Sequence, residues 1–244
     1  MFCGFGYFFK GLRLIFVAGM KRYVIIPLII NIAIFSLGLW VGITWFNSFL
    51  DQVLPDWLAW AEFIIWPLFA ISYFLIVFYA FAILVNVIAA PFNGFLAEKV
   101  ESYLQGDKTM ATESSFKTVL KEAPGIILSE LSKLVYFMVR AIPLLILFLI
   151  PGINVFAPFI WFAFSAWMLS LEYLDYPCGN HGILFKETRS MARQRRTRCL
   201  SFGAVVSGFT LVPFINFIAM PAAVAGATVF YLDTFSKNKE ISRL

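Results

Sequence analysis

Residues 23–46 run for about 24 positions without a charged side chain, ~36 Å of helix at 1.5 Å per residue and ample for a hydrocarbon core of roughly 30 Å. Hydrocarbon offers no water to backbone N–H and C=O groups, so a chain holding such a segment folds as helices that satisfy themselves or as a closed barrel. An unalternating apolar run of this length has the helix pattern, not the ten-residue alternation of a barrel strand. Across the 244 residues, 61% are hydrophobic and only 14% charged, which excludes a soluble globular domain. The first run is too long for the apolar core of a signal peptide and lacks a small-residue cleavage site, so no cleavable leader is expected.

A second uncharged run, 63–97, covers about 35 positions, or ~50 Å if wholly helical, and predicts a crossing with a polar-tipped extension. Between the two lies an acidic connector, 47–62, with Asp51, Asp56, Glu62 and a break at Pro55. Two later apolar regions are each divided in two. One comprises 134–150 and 155–174 around the sequence IPGIN; the other comprises 200–212 and 214–232 around VPFIN. The 200–212 arm is about 13 residues, ~20 Å of helix, short of a full crossing. Neither turn contains a charge, so both read as hairpins whose tips lie within the membrane. Ordinary spanning hairpins with tight turns on the far face remain the alternative, more so for the longer first hairpin. Asn154 and Asn216 can repair backbone groups freed by the neighbouring prolines under either reading.

The fold class expected is therefore an all-α integral membrane protein. Two long transmembrane helices would be joined by two partly penetrating, re-entrant helical hairpins and short interfacial amphipathic helices. A single membrane domain, 1–244, would hold an interfacial helix at 7–20, a transmembrane helix at 21–48 and a long transmembrane helix with its extension at 58–105. After these come an amphipathic segment at 113–131, a hairpin at 133–176, and an interfacial basic segment with the second hairpin at 186–235. Lys and Arg occupy every connecting segment except the acidic connector, including the run KETRSMARQRRTR between the hairpins. Two spans and two returning hairpins put all of them on one face, which the positive-inside rule assigns to the cytoplasm. The arginine run marks that face rather than a nucleic-acid surface.

Chemistry is sparse. Cys3, Cys178 and Cys199 have no metal-ligand or disulfide-framework spacing, and His181 in the polar turn CGNHG reads as an interfacial loop residue rather than a catalyst. Neither an enzyme nor a cofactor is expected, and the absence of a G-x-x-x-x-G-K-[ST] loop excludes ATP hydrolysis by a P-loop.

The informative polar feature is AGMKRYVIIPLIIN, 18–31. Lys10 and Arg13 precede it on one helical face, with Phe9, Leu12 and Phe16 opposite; Gly19 ends that helix and the transmembrane helix starts near Lys21. A glycine, free N–H groups at a helix start and two adjacent cations make an anion site. The same pair also serves as a topology determinant or a headgroup contact. In NVIAAPFNGFLAEKVESYLQG, Pro91 and Asn93 interrupt the second helix, and Asn93, Glu98 and Glu101 can line a polar path or form a repaired kink followed by solvated charge. Arg140, inside an apolar arm, needs a partner, with Glu172 or Asp175 as candidates, or snorkels to the interface.

The order of these features resembles the CysZ family of bacterial sulfate transporters. Gly19-Met20-Lys21-Arg22 leads into Ile26-Pro27-Leu28 and Asn31; AAPFNGFLAE, IPGIN, the DYP triplet at 175–177 and VPFINFIAMPAAVAGAT follow, so that the likeness runs over about 7–231. The resemblance implies sulfate uptake across the bacterial inner membrane for cysteine biosynthesis, by a multi-pass homo-oligomer, a hexamer, in contact with membrane lipid and no nucleic acid. Sulfate would be bound at Gly19, Met20, Lys21 and Arg22, the positions matching the family's glycine-leucine-arginine-arginine motif. Gly11-Leu12-Arg13 spells that motif but lies at the wrong distance from the IPLxxN helix. Met20 replaces a usual isoleucine or leucine, and Lys21 an arginine whose planar fork grips two oxygens of one oxyanion, so weaker affinity is expected. The alternative is a non-transporting membrane scaffold or regulator that binds anionic lipid through the same basic pair.

Overall fold

The computed structural model describes residues 4–17, 19–53, 62–106, 116–212 and 215–236, with the backbone alone at 50, 51, 53, 62, 78–91 and 116–128. Most of the acidic connector, the start of the 113–131 segment, Pro213 and the basic C-terminal residues lie outside the described residues. Every regular element among the described residues is helical. In order they are α1 (Gly4–Leu14), α2 (Lys21–Val53), α3 (Glu62–Gln105), α4 (Phe116–Leu147), α5 (Ala157–Asn180), α6 (Phe185–Gln194), α7 (Arg196–Thr210) and α8 (Asn216–Tyr231), which runs into a π-helical turn, Leu232–Ser236. Among the described residues three helical stretches are long and apolar enough to cross a membrane, Lys21–Phe49, Ala157–Asn180 and Asn216–Ser236.

Two compact units divide the chain. The smaller, Ile25–Phe92, is an antiparallel pair formed by most of α2 and α3. Its register follows from its contacts: Tyr73 Oη donates to the Gly38 carbonyl at 2.7 Å, Trp66 Nε1 donates to Asn47 Oδ1 at 3.1 Å, and Phe46 stacks on Phe69. Gly42 faces the Tyr73 ring at a distance that no Cβ would tolerate, the small-against-large packing that lets helices approach where lipid supplies no hydrophobic drive. Helix α3 runs unbroken through position 91, against the expectation that Pro91 and Asn93 interrupt it.

The larger unit, Met1–Val24 with Asn93–Leu244, is organised around α8. That helix is apolar on all sides, and such helices are buried. Nearly every side chain from Ala219 to Tyr231 is inside, wrapped by α1, α5 and α7. Small residues permit this: a Cβ on Gly11 would strike the backbone of Ala222 and Gly226, and one on Gly203 the carbonyl of Ala166. Tyr7 and Phe230 close the α1–α8 contact with rings stacked 4.8 Å apart. Helix α1 therefore turns Tyr7, Phe8, Gly11 and Leu14 inward, while Phe9 and Phe16, expected on the apolar face, are 43% and 59% exposed. It also ends at Leu14, before Gly19.

Backbone bonds close the two hairpin turns. Asn154 N–H donates to the Ile150 carbonyl at 3.0 Å and Asn216 N–H to the Val212 carbonyl at 3.2 Å, and Gly152 takes a left-handed φ of 83°. The repair expected of the asparagine side chains falls to the main chain.

Candidate functional site

The anion site expected at 19–22 lies in the larger unit, at the entry to α2. Gly19 has φ 90°, a conformation that L side chains rarely adopt, and a Cβ there would meet open space. The requirement for glycine is therefore in the backbone turn, and the space above it is free for a ligand. Met20 is 1% exposed and belongs to the main core cluster, so it pins the turn. Its N–H donates to the Val17 carbonyl at 3.2 Å, and its own carbonyl accepts from Tyr23 N–H at 3.0 Å. Lys21 and Arg22 open the helix with exposed side chains, where first-turn N–H groups lack intrahelical acceptors and the helix dipole is positive. Arg22 Nη2 donates to Tyr23 Oη at 3.0 Å, its guanidinium 4.8 Å from the ring centre.

A second polar group surrounds the end of α3. Asn93 Nδ2 donates to Tyr176 Oη at 3.2 Å, and the Asn180 amide donates to the Gly94 carbonyl at 3.1 Å. Glu101 is 4% exposed, with His181 Nε2 at 2.9 and 3.1 Å from its two carboxylate oxygens and Gln105 Nε2 donating at 3.1 Å. The His181 ring in turn stacks on Tyr231 at 5.1 Å. His181 is thus no detached loop residue: it joins α3, the end of α5 and the end of α8. The sequence signal was Gly182, whose left-handed φ of 67° turns the chain back after the helix. Glu98 lies beyond the uncharged run and is partly exposed; burial first, and then the charge of Glu101, raise its carboxyl above the ordinary range.

The partner expected for Arg140 is corrected. Glu172 and Asp175 both face Lys133, whose Nζ lies 3.3 Å from Glu172 Oε2, 2.8 Å from Asp175 Oδ2 and 3.1 Å from Glu130 Oε1. Thr188 Oγ1 donates to the other Asp175 oxygen at 3.4 Å, so the cluster ties α4, α5 and α6 together. Lys133 precedes Arg140 by two helical turns on the same face, about 10 Å along the axis. The sequence identifies the face and leaves the level open. Arg140 instead sits over its neighbour Tyr136, guanidinium 3.7 Å from the ring centre, and donates to the Tyr136 carbonyl at 3.3 Å. Arg189 approaches the same ring at 4.9 Å. The arrangement separates three groups: an open cationic turn at 19–22, a paired carboxylate at the end of α3, and two arginines on one tyrosine. Among the described residues no cluster of His, Cys, Asp and Glu suits a metal ion.

Residues 7–221 match the family described as sulfate transporter CysZ/etoposide-induced protein 2.4. The chain is also 44% identical over 236 residues to a protein of Pectobacterium atrosepticum named sulfate transporter CysZ, a match covering 95% of this chain and 85% of the relative.

Proposed function

Since the chain belongs to the sulfate transporter CysZ/etoposide-induced protein 2.4 family, we propose that it carries sulfate across the bacterial inner membrane, supplying cysteine biosynthesis, as a multi-pass homo-oligomer. The observation that carries the reading is the entry to α2: an unobstructed left-handed Gly19 followed by two exposed cations at a helix start, held by a buried Met20. A dianion there meets the positive end of the helix dipole, main-chain donors and two charge-assisted hydrogen bonds. Lys21 acts as a point charge, whereas Arg22 offers a fork.

Both hairpin turns are taken to stay inside the membrane. Helix α7 has 15 residues, about 22 Å, too short for the hydrocarbon core. Around the turns Leu149 is 80% exposed, Val155 66%, Phe156 63% and Leu211 75%, an apolar surface that suits lipid or a neighbouring subunit and not water. Irregular backbone at membrane depth is stable only inside protein or beside a water-filled cavity, which makes assembly, in the reading a hexamer, a structural need. Asn93 and Glu98 are assigned to a polar path. Glu101, buried and paired, orders the wall beside it.

The test is flux of labelled sulfate into vesicles containing the purified protein, competed by unlabelled sulfate, beside Lys21→Ala/Arg22→Ala protein of the same oligomeric size. Saturable flux abolished by the double substitution is expected. No flux from the parent protein overturns the transport reading in favour of a scaffold; undiminished flux from the variant overturns the site.

A further inference from the structure

A cavity of about 460 Å³ opens beside α4, lined by both apolar side chains and two arginines. Leu131, Val135 and Val139 follow one another at four-residue spacing along one stripe of the helix, 53%, 53% and 62% exposed. At this stripe stand two guanidinium groups from different helices, Arg140 of α4 and Arg189 of α6, 3.7 and 4.9 Å from the centre of the Tyr136 ring. Tyr136 is itself fixed: its ring is 7% exposed, its hydroxyl accepts from Trp167 Nε1 at 2.9 Å, and Phe185 packs edge-on at 5.7 Å.

The charge balance of this place is incomplete. Among the described residues neither arginine has a carboxylate within ion-pair distance, because Glu130, Glu172 and Asp175 all face Lys133. Two like charges brought onto one ring at the border of an apolar helix face repel, and the tyrosine quadrupole compensates only part of that. An anion between them completes the site, and arginine forks match the tetrahedral oxygens of a phosphate or sulfate. The apolar stripe decides between these two sources. Arg140 and Arg189 stand on one ring and so share one level, and the exposed apolar stripe continues from Val139 to Ile142 and Ile146, 62%, 55% and 51% exposed, along α4 towards the 150–154 turn. A free sulfate has nothing to gain from that stripe, whereas an acyl chain buries against it.

We propose that Arg140 and Arg189 bind the phosphate of an anionic phospholipid whose acyl chain lies along Val139, Ile142 and Ile146. The site uses none of residues 19–22 and does not rest on sulfate transport. Bound lipid would add a second link between α6 and α4 beside the Lys133 cluster.

The experiment is native mass spectrometry of the full-length protein with phosphatidylglycerol or phosphatidylcholine added, in the presence and absence of millimolar sodium sulfate. Arg140→Gln, Arg189→Gln, their combination and Arg193→Gln on the exposed side of α6 are compared. The parent is expected to retain phosphatidylglycerol over phosphatidylcholine, with retention falling about fivefold for each arginine removed and unchanged in Arg193→Gln. Arg140→Lys/Arg189→Lys keeps the charges and the fold, loses the forks, and is expected to fall between parent and double glutamine variant. Equal retention of the two lipids, an unchanged double variant, or loss of phosphatidylglycerol to millimolar sulfate overturns the proposal, the last identifying a free oxyanion as the occupant.

Discussion

Replacing His181 by Phe tests whether the end of α3 is held by the contact between His181 and Glu101. Phe keeps an aromatic ring to stack on Tyr231 and removes only the nitrogen that faces Glu101. Glu101 is 4% exposed, so the substitution leaves a nearly buried carboxylate that still accepts from the Gln105 amide. Stranding a buried charge costs about 3–5 kcal/mol, but the His181 side chain is 33% exposed and water can reach the gap, which lowers the expectation to about 1.5–3 kcal/mol. For a chain of this size that corresponds to a fall in Tm of about 4–10 °C. The protein carries its own reporters: Cys178 and Cys199 are 1% and 0% exposed, so in a Cys3→Ser background a thiol-reactive fluorophore reports unfolding during a thermal ramp. Glu101→Gln removes the stranded charge, and Glu101→Gln/His181→Phe is expected to recover more than half of the loss, giving a coupling energy of about 1–2 kcal/mol. A shift below about 1 °C for His181→Phe, the range of a surface substitution, would refute the pairing. So would a double variant no more stable than the single one.

Three further outcomes follow from the same geometry. Lys21→Arg restores a planar fork at the entry to α2 and is expected to tighten sulfate binding about threefold to tenfold by isothermal titration; the site is exposed, and a second charge-assisted bond there adds only about 1 kcal/mol. Lys133→Met removes the cation shared by Glu130, Glu172 and Asp175 where Lys133 and Asp175 are 12% and 15% exposed, so a loss of about 3–5 kcal/mol and a broadened size-exclusion peak are expected. Glu98 holds its proton more tightly in the folded chain, so its contribution to stability is complete below the ordinary carboxylate range and is lost as pH rises through the raised value. Glu98→Gln removes that loss: its stability advantage over the parent, followed as the difference in Tm, is expected to be larger at pH 7.5 than at pH 5, by less than about 0.5 kcal/mol because the group is mostly solvated.

The all-helical character was legible because a long uncharged run permits so few solutions. The IPGIN and VPFIN turns were legible too, since proline and glycine change the backbone where they stand: α4 ends before 150–154 and α7 before 212–216. The start of the first long helix near Lys21 was legible from the basic pair, although α1 ends at Leu14 and not at Gly19. The inward face of α1 was misjudged, however. Amphipathicity assigns Lys10 and Arg13 outward, but which apolar residues go inward is decided by where α8 presents its small residues, and so Gly11 is buried while Phe9 is not.

What residues 23–46 and their counterparts determine is an all-helical chain with stretches apolar enough to cross a membrane and a glycine-basic turn before the first long helix. That much is local, since hydrocarbon penalises each unsatisfied backbone group and each charge where it occurs. Which polar side chain meets which carboxylate is a matter of level along packed helix axes, and only the tertiary structure decided it. Lys133 takes Glu172 and Asp175 that sequence spacing offered equally to Arg140, and His181 reaches Glu101 across 80 residues of chain. A helix repeats its faces every turn, so the sequence names the face of each residue but not its height against a neighbour, and ion pairs depend on both.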